Sequence, residues 1–144
     1  MSLPPPRVGL VIRYAFLWSH EAARGANEGR KDRPCAVVVA ARQQGTEEIR
    51  VIVAPITHEP PSDPSSAIEL PPDVRRSLGL DSTPQWLRFE ELNRFSWPGF
   101  DIRPIPGPAG EWHYGMLPQS LFEQLRQGIL RRQGERALRV QDRD

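Results

Sequence analysis

The sequence predicts a mainly β domain with some α structure: short apolar strands in antiparallel succession, then one amphipathic helix. Three observations carry that expectation. Two near-continuous apolar runs, residues 34–40 and 49–56, are joined by a polar turn around Gly45, the pattern of a β-hairpin running through a core. A third run, residues 9–18, is rich in branched and aromatic side chains, which suit a strand. Towards the other end, Leu121, Phe122, Leu125, Ile129 and Leu130 recur at helical spacing.

The chain has 144 residues, enough for one compact domain and too few for a second catalytic lobe. Its 16 prolines and 11 glycines fall mostly between the apolar runs, where they punctuate turns. Taken in order, residues 9–18 are the first strand. Residues 19–32 carry charges and glycines with almost no large apolar side chain, and read as a long mobile loop. The hairpin follows, then a Pro/Ser/Asp loop over 59–66 and a short edge strand over 67–70. Pro71-Pro72-Asp73 opens a short helix with Gly79 as its stop. Residues 85–89 give another strand, continuing towards Phe95 until Pro98-Gly99 breaks it. Three prolines and two glycines make 104–110 a loop. The amphipathic helix starts at Pro118. This order is that of a small SH3-like antiparallel barrel with a C-terminal helix, spanning residues 1–132, followed by a polar, frayed tail over 133–144.

The net charge of +1 hides an uneven distribution. Residues 1–58 hold eight basic and five acidic side chains, residues 59–120 five and nine, and residues 121–144 six and four. Eighteen of the nineteen basic residues are arginine, the side chain that pairs bidentately with phosphate, although a biased coding composition gives the same count. The balance is unlike the strongly basic footprint of a dedicated nucleic-acid binder. The single cysteine, Cys35, excludes an intramolecular disulfide and fits a buried thiol in a reducing cytosol. The apolar run at 8–18 is too short for a membrane span and contains Arg13, so the expectation is a cytoplasmic protein with no membrane partner.

No two of His20, His58 and His113 have the spacing of ligands on one element, so no metal and no cofactor is expected. His20 and His113, each near a tryptophan, read as polar residues at a core edge. The informative pair lies at strand ends. Arg33 precedes Pro34 at the mouth of one hairpin strand, and Thr57 with His58 follows the end of its partner. Antiparallel pairing sets the start of one strand against the end of the other, so Arg33 and Thr57 are expected to be neighbours. A salt-bridging arginine beside a turn-forming threonine is the plainer account of the same pair.

At these residues the sequence resembles the MazF/PemK family of toxin–antitoxin ribonucleases. The parts that match are a glycine-headed strand at 9–18, a loop at 19–32, the Arg33-Pro34 step into an apolar strand, and Ala54-Pro55-Ile56-Thr57 closing the hairpin. The match is firm over 9–58 and looser over 67–95. The loop before Arg33 is longer than in compact members, and 97–114 reads as an inserted or rebuilt segment. The resemblance implies a MazF/CcdB-like barrel and catalytic roles for Arg33 and Thr57, with Glu28 matching a loop glutamate five residues before the arginine. It implies a metal-independent endoribonuclease cutting single-stranded RNA, a homodimer, and a cognate antitoxin partner.

The chemistry that goes with it needs few groups. The RNA 2′-hydroxyl attacks the adjacent phosphate, leaving a 2′,3′-cyclic phosphate and a free 5′-hydroxyl, so the protein has to align the chain, stabilise charge and manage two protons. Arg33 suits the charge role and is a poor base; Thr57 can donate to the same phosphate. His58, with Glu28 second, is the candidate for proton transfer, provided that the strand has ended before it. Arg30 and Lys31 beside Arg33, and Trp18 or Tyr14 as a stacking ring, are the candidate RNA contacts, an aromatic on so apolar a strand being more often core. Two rival readings keep the fold without catalysis: an RNA-binding relic, and a module that poisons a protein target such as a topoisomerase, which the acidic middle segment suits better.

Overall fold

The computed structural model describes residues 3–25 and 31–144. Its first strand, β1 (Leu10–Ala15), leads into a one-turn helix, α1 (Ser19–Ala23); β2 (Asp32–Arg42) and β3 (Ile49–Thr57) then form the hairpin. A short β4 (Ala67–Glu69), the helix α2 (Pro72–Ser77), β5 (Trp86–Arg88) and β6 (Glu91–Trp97) follow. The chain is completed by β7 (Ile102–Arg103), β8 (His113–Met116), the helix α3 (Gln119–Gly134) and β9 (Arg139–Asp142).

β2 and β3 sit at the centre. β2 pairs antiparallel with β1 on one edge and β3 on the other, and β3 continues outward to β6 near its start and to β5 near its end. All ladders are antiparallel except β6 with β9, which is parallel. Alternate side chains of the central strands enter two different cores. Leu10, Ile12, Tyr14, Cys35, Val37, Val51 and Val53 pack with Phe16, Phe95 and Ile102 on one face. Val11, Ala36, Ala54 and Ile56 pack with Leu87, Phe89, Leu121 and Leu125 on the other. A strand buried on both faces has no polar side to alternate with, which is why both hairpin strands read as unbroken apolar runs.

α3 lies over the second core with Leu121, Leu125 and Gly128 buried. Gly128 admits the Phe89 ring: a Cβ there would stand 2.6 Å from Phe89 Cζ. α2 begins at Pro72, and its stop at Gly79 takes a left-handed φ of 70°, which only glycine adopts at no steric cost.

Three expectations need correction. Residues 19–32 do not form one long loop: α1 occupies its start, because Glu21, buried, turns its carboxylate back to accept from the Trp18 N–H at 3.0 Å and so satisfies an orphan helix-start donor. The strand expected to run from Gln85 towards Phe95 divides into β5 and β6. The tail over 133–144 is not frayed: after α3 the chain reverses and Arg139–Asp142 adds as β9 to the outer edge of β6, so the helix does not end the fold. Segment 97–114 is a working part of the sheet, since both of its strands, β7 and β8, pair with β1.

Candidate functional site

The site grows from the open end of the central hairpin. Cys35 stands opposite Pro55 in the last register pair of β2 with β3. Arg33 and Thr57 each lie two residues beyond that pair, and both line one cleft of about 410 Å³. β3 ends at Thr57, which frees His58 from strand alternation, and His58 lines the same cleft together with Lys31, Glu59 and Gln85. Arg33, Thr57 and His58 are therefore brought together. Glu28 and Arg30 lie outside the described residues.

Arg33 is half-buried, and its buried Nε has no hydrogen-bond partner among the described residues. Among the described residues no carboxylate pairs with it; its one neighbour of note is the Trp18 ring, whose centroid lies 5.6 Å from the guanidinium carbon. A guanidinium held by a ring face and left without an acceptor is poised for an oxyanion. The Thr57 hydroxyl accepts from the Glu59 N–H at 3.1 Å, which orients the oxygen and leaves its proton available to donate. His58 Nε2 stands 2.8 Å from Asp81 Oδ2. The Asp81 carboxyl is held below the usual carboxylate range, first by the hydrogen bond from the Thr83 hydroxyl and also by that from His58.

Trp18 is half-buried at the rim of an adjoining cleft of about 300 Å³, which shares Lys31, Arg33 and Glu59 with the first. Its ring is engaged by two cations, since the Arg88 guanidinium lies 5.5 Å from the same centroid, and by the edge of Phe16. Trp18 thus serves first to seat arginines. Tyr14, the other candidate ring, is fully buried against Phe95. Burial also raises its phenol pKa, so it presents no face to a base.

Cys35 is fully buried and burial pushes its thiol up, far from a nucleophilic thiolate. His20 is exposed. Among the described residues no three His, Cys, Asp or Glu side chains gather as metal ligands, and no helix is long and apolar enough to cross a membrane. Sequence reasoning missed Asp81 and Arg88, which approach the site through loop 78–85 and through β5. No protein-family model matches the chain, and no curated protein does.

Proposed function

We propose that the chain is an endoribonuclease of the MazF/PemK type, cleaving single-stranded RNA at the cleft between Arg33 and Thr57. The observation that carries the reading is the Arg33 guanidinium, which lines one cleft with Thr57 and His58 and has no hydrogen-bond or ion-pair partner among the described residues. In this reading the RNA supplies the nucleophile. The 2′-oxygen bonds to phosphorus as the 5′-oxygen leaves, one proton departs from the 2′-hydroxyl, and one is delivered to the 5′-oxygen. Arg33 and the Thr57 hydroxyl hold the non-bridging oxygens as their charge grows. His58, kept in place by Asp81, is the group that moves a proton, imidazole being the side chain suited to that task near neutrality. The wider reading includes an SH3-like barrel, a homodimer, a cytoplasmic setting and a small antitoxin that covers the cleft.

Incubation of the purified protein with RNA in excess chelator tests the proposal. Cleavage with cyclic phosphate and 5′-hydroxyl ends is expected, and Arg33→Ala should lower kcat by roughly 10²–10³, the range for removing one donor to a developing oxyanion. Intact RNA, or full activity in Arg33→Ala, would sink it. The second reading is a non-catalytic module for RNA or a protein target, and the carboxylates Glu21, Glu59 and Glu91 that share the Trp18 cleft favour the protein target. RNA affinity without cleavage, or capture of a protein in place of RNA, would establish that one.

A further inference from the structure

The groove continues past Trp18. Arg88 and Glu91, which line the Trp18 cleft, also line a further cavity of about 440 Å³ whose other wall is the turn from α3 into β9: Arg132, Arg136, Leu138 and Arg139. The three cavities thus form a series in which each shares residues with the next, from Thr57 through Arg33 and Trp18 to the arginines of the tail.

The last cavity has four guanidiniums against two carboxylates, Glu90 and Glu91. Those carboxylates are already engaged: Glu90 accepts from Arg88, and Glu91 Oε1 accepts from the Ser19 N–H at 2.6 Å. Arg132 is anchored by donating to the Ala137 carbonyl at 3.0 Å and by Asp63 at 3.8 Å, while its buried Nε has no hydrogen-bond partner among the described residues. Arg136 and Arg139 are exposed, and among the described residues neither is in an ion pair; the Arg139 guanidinium donates to the Ser19 hydroxyl at 3.3 Å. Arg136 has a left-handed φ of 57°, at the position after a helix where glycine is the usual occupant. The nearby C-terminus of α3 opposes an anion with about half a charge, less than the excess of two positive charges on the cavity wall.

We propose that this arginine cavity is a second phosphate subsite for single-stranded RNA, holding a backbone phosphate away from the bond placed at Arg33. The inference rests on the ribonuclease reading. It gives the β9 tail a substrate-binding task, and it makes affinity depend on RNA length.

The test uses fluorescein-labelled 2′-O-methyl RNA, which lacks the nucleophile, in mixed-sequence pools of roughly 4 and roughly 12 nucleotides, lengths that span the usual single-strand site sizes. Wild type is compared with the double variant Arg136→Gly, Arg139→Ala; glycine accepts the left-handed backbone, and equal melting temperatures verify the fold. Expected is an affinity for the long pool about tenfold lower in the variant. The slope of log K against log salt should be shallower by about 0.7, one phosphate contact on a single strand, and the short pool should bind unchanged. Long-pool binding equal to wild type overturns the subsite, and if wild type still cleaves RNA the ribonuclease reading stands. Equal weakening of both pools also overturns it, because the arginines would then act only as diffuse charge. Failure of wild type to bind either pool removes both proposals.

Discussion

Asp81 does two things with its two oxygens. Oδ1 accepts from the Thr83 N–H at 2.9 Å and from the Thr83 hydroxyl, which fixes the loop, while Oδ2 faces His58. The hydrogen bonds from Thr83 and from His58 hold its carboxyl below the usual carboxylate range, which favours the anion that faces His58. Under the ribonuclease reading Asp81→Asn should lower kcat roughly tenfold with KM unchanged, His58→Ala by more, and the double variant no further than His58→Ala alone, as for residues acting as a unit. Additive losses would mean that Asp81 only shapes its loop. Arg33, Thr57 and His58 were legible because hairpin geometry relates strand ends that are far apart in sequence. Asp81 was not, because loop 78–85 folds back on the end of β3 with no periodicity to announce it.

Elements show the same division. β2 and β3 were legible because burial on two faces writes an apolar run into the sequence, and α3 because its buried residues recur at 3.6 spacing. β9 was not: Arg139-Val-Gln-Asp142 carries a single apolar side chain, and its place depends on backbone pairing with β6. The function of Gly128 was hidden as well, since helix periodicity says nothing of how closely a neighbour approaches. Two effects compete there. Replacing a helical glycine by alanine gains about 1 kcal/mol of propensity, whereas overpacking a filled core costs about 1–3 kcal/mol. Phe89 is buried in one core with Leu87, Leu121 and Leu125, and three of its ring carbons would lie within 3.0 Å of the new Cβ, so the whole ring has to shift and the packing cost is expected to outweigh the gain in propensity. Gly128→Ala should therefore lower the midpoint of thermal unfolding; an unchanged or raised midpoint would show that α3 rides more loosely on the sheet.

At the scale of the whole molecule, the linear division into a basic first part, an acidic middle and a basic end does not survive folding. Carboxylates from the middle stand beside arginines from both ends in the same groove. Away from the groove, Arg143 joins the end of the chain to the middle in the same way. Its side chain is 2% exposed and reaches Asp101 at 2.7 Å, the Ala15 carbonyl at 2.8 Å and Asn93 Oδ1 at 2.9 Å, with the Tyr14 ring 5.4 Å away. Asn93 in turn bonds both backbone groups of Leu17, the residue before Trp18. One tail residue thus joins β1, β6, the 97–114 segment and the approach to the groove. Arg143→Ala removes the nearest cation from the Asp101 carboxylate, which keeps Arg103 at 3.8 Å, and takes a donor from the Ala15 carbonyl and from Asn93 Oδ1; losing such buried hydrogen bonds costs about 1–3 kcal/mol, and the melting temperature should fall by roughly 5 °C or more for a chain of this size. Arg143→Met with Asp101→Asn removes the charge along with its partner and should recover a good part of that loss. If the single variant melts within about 3 °C of wild type, the tail is an accessory strand; if the double variant is the worse of the two, packing around Arg143 outweighs its charge.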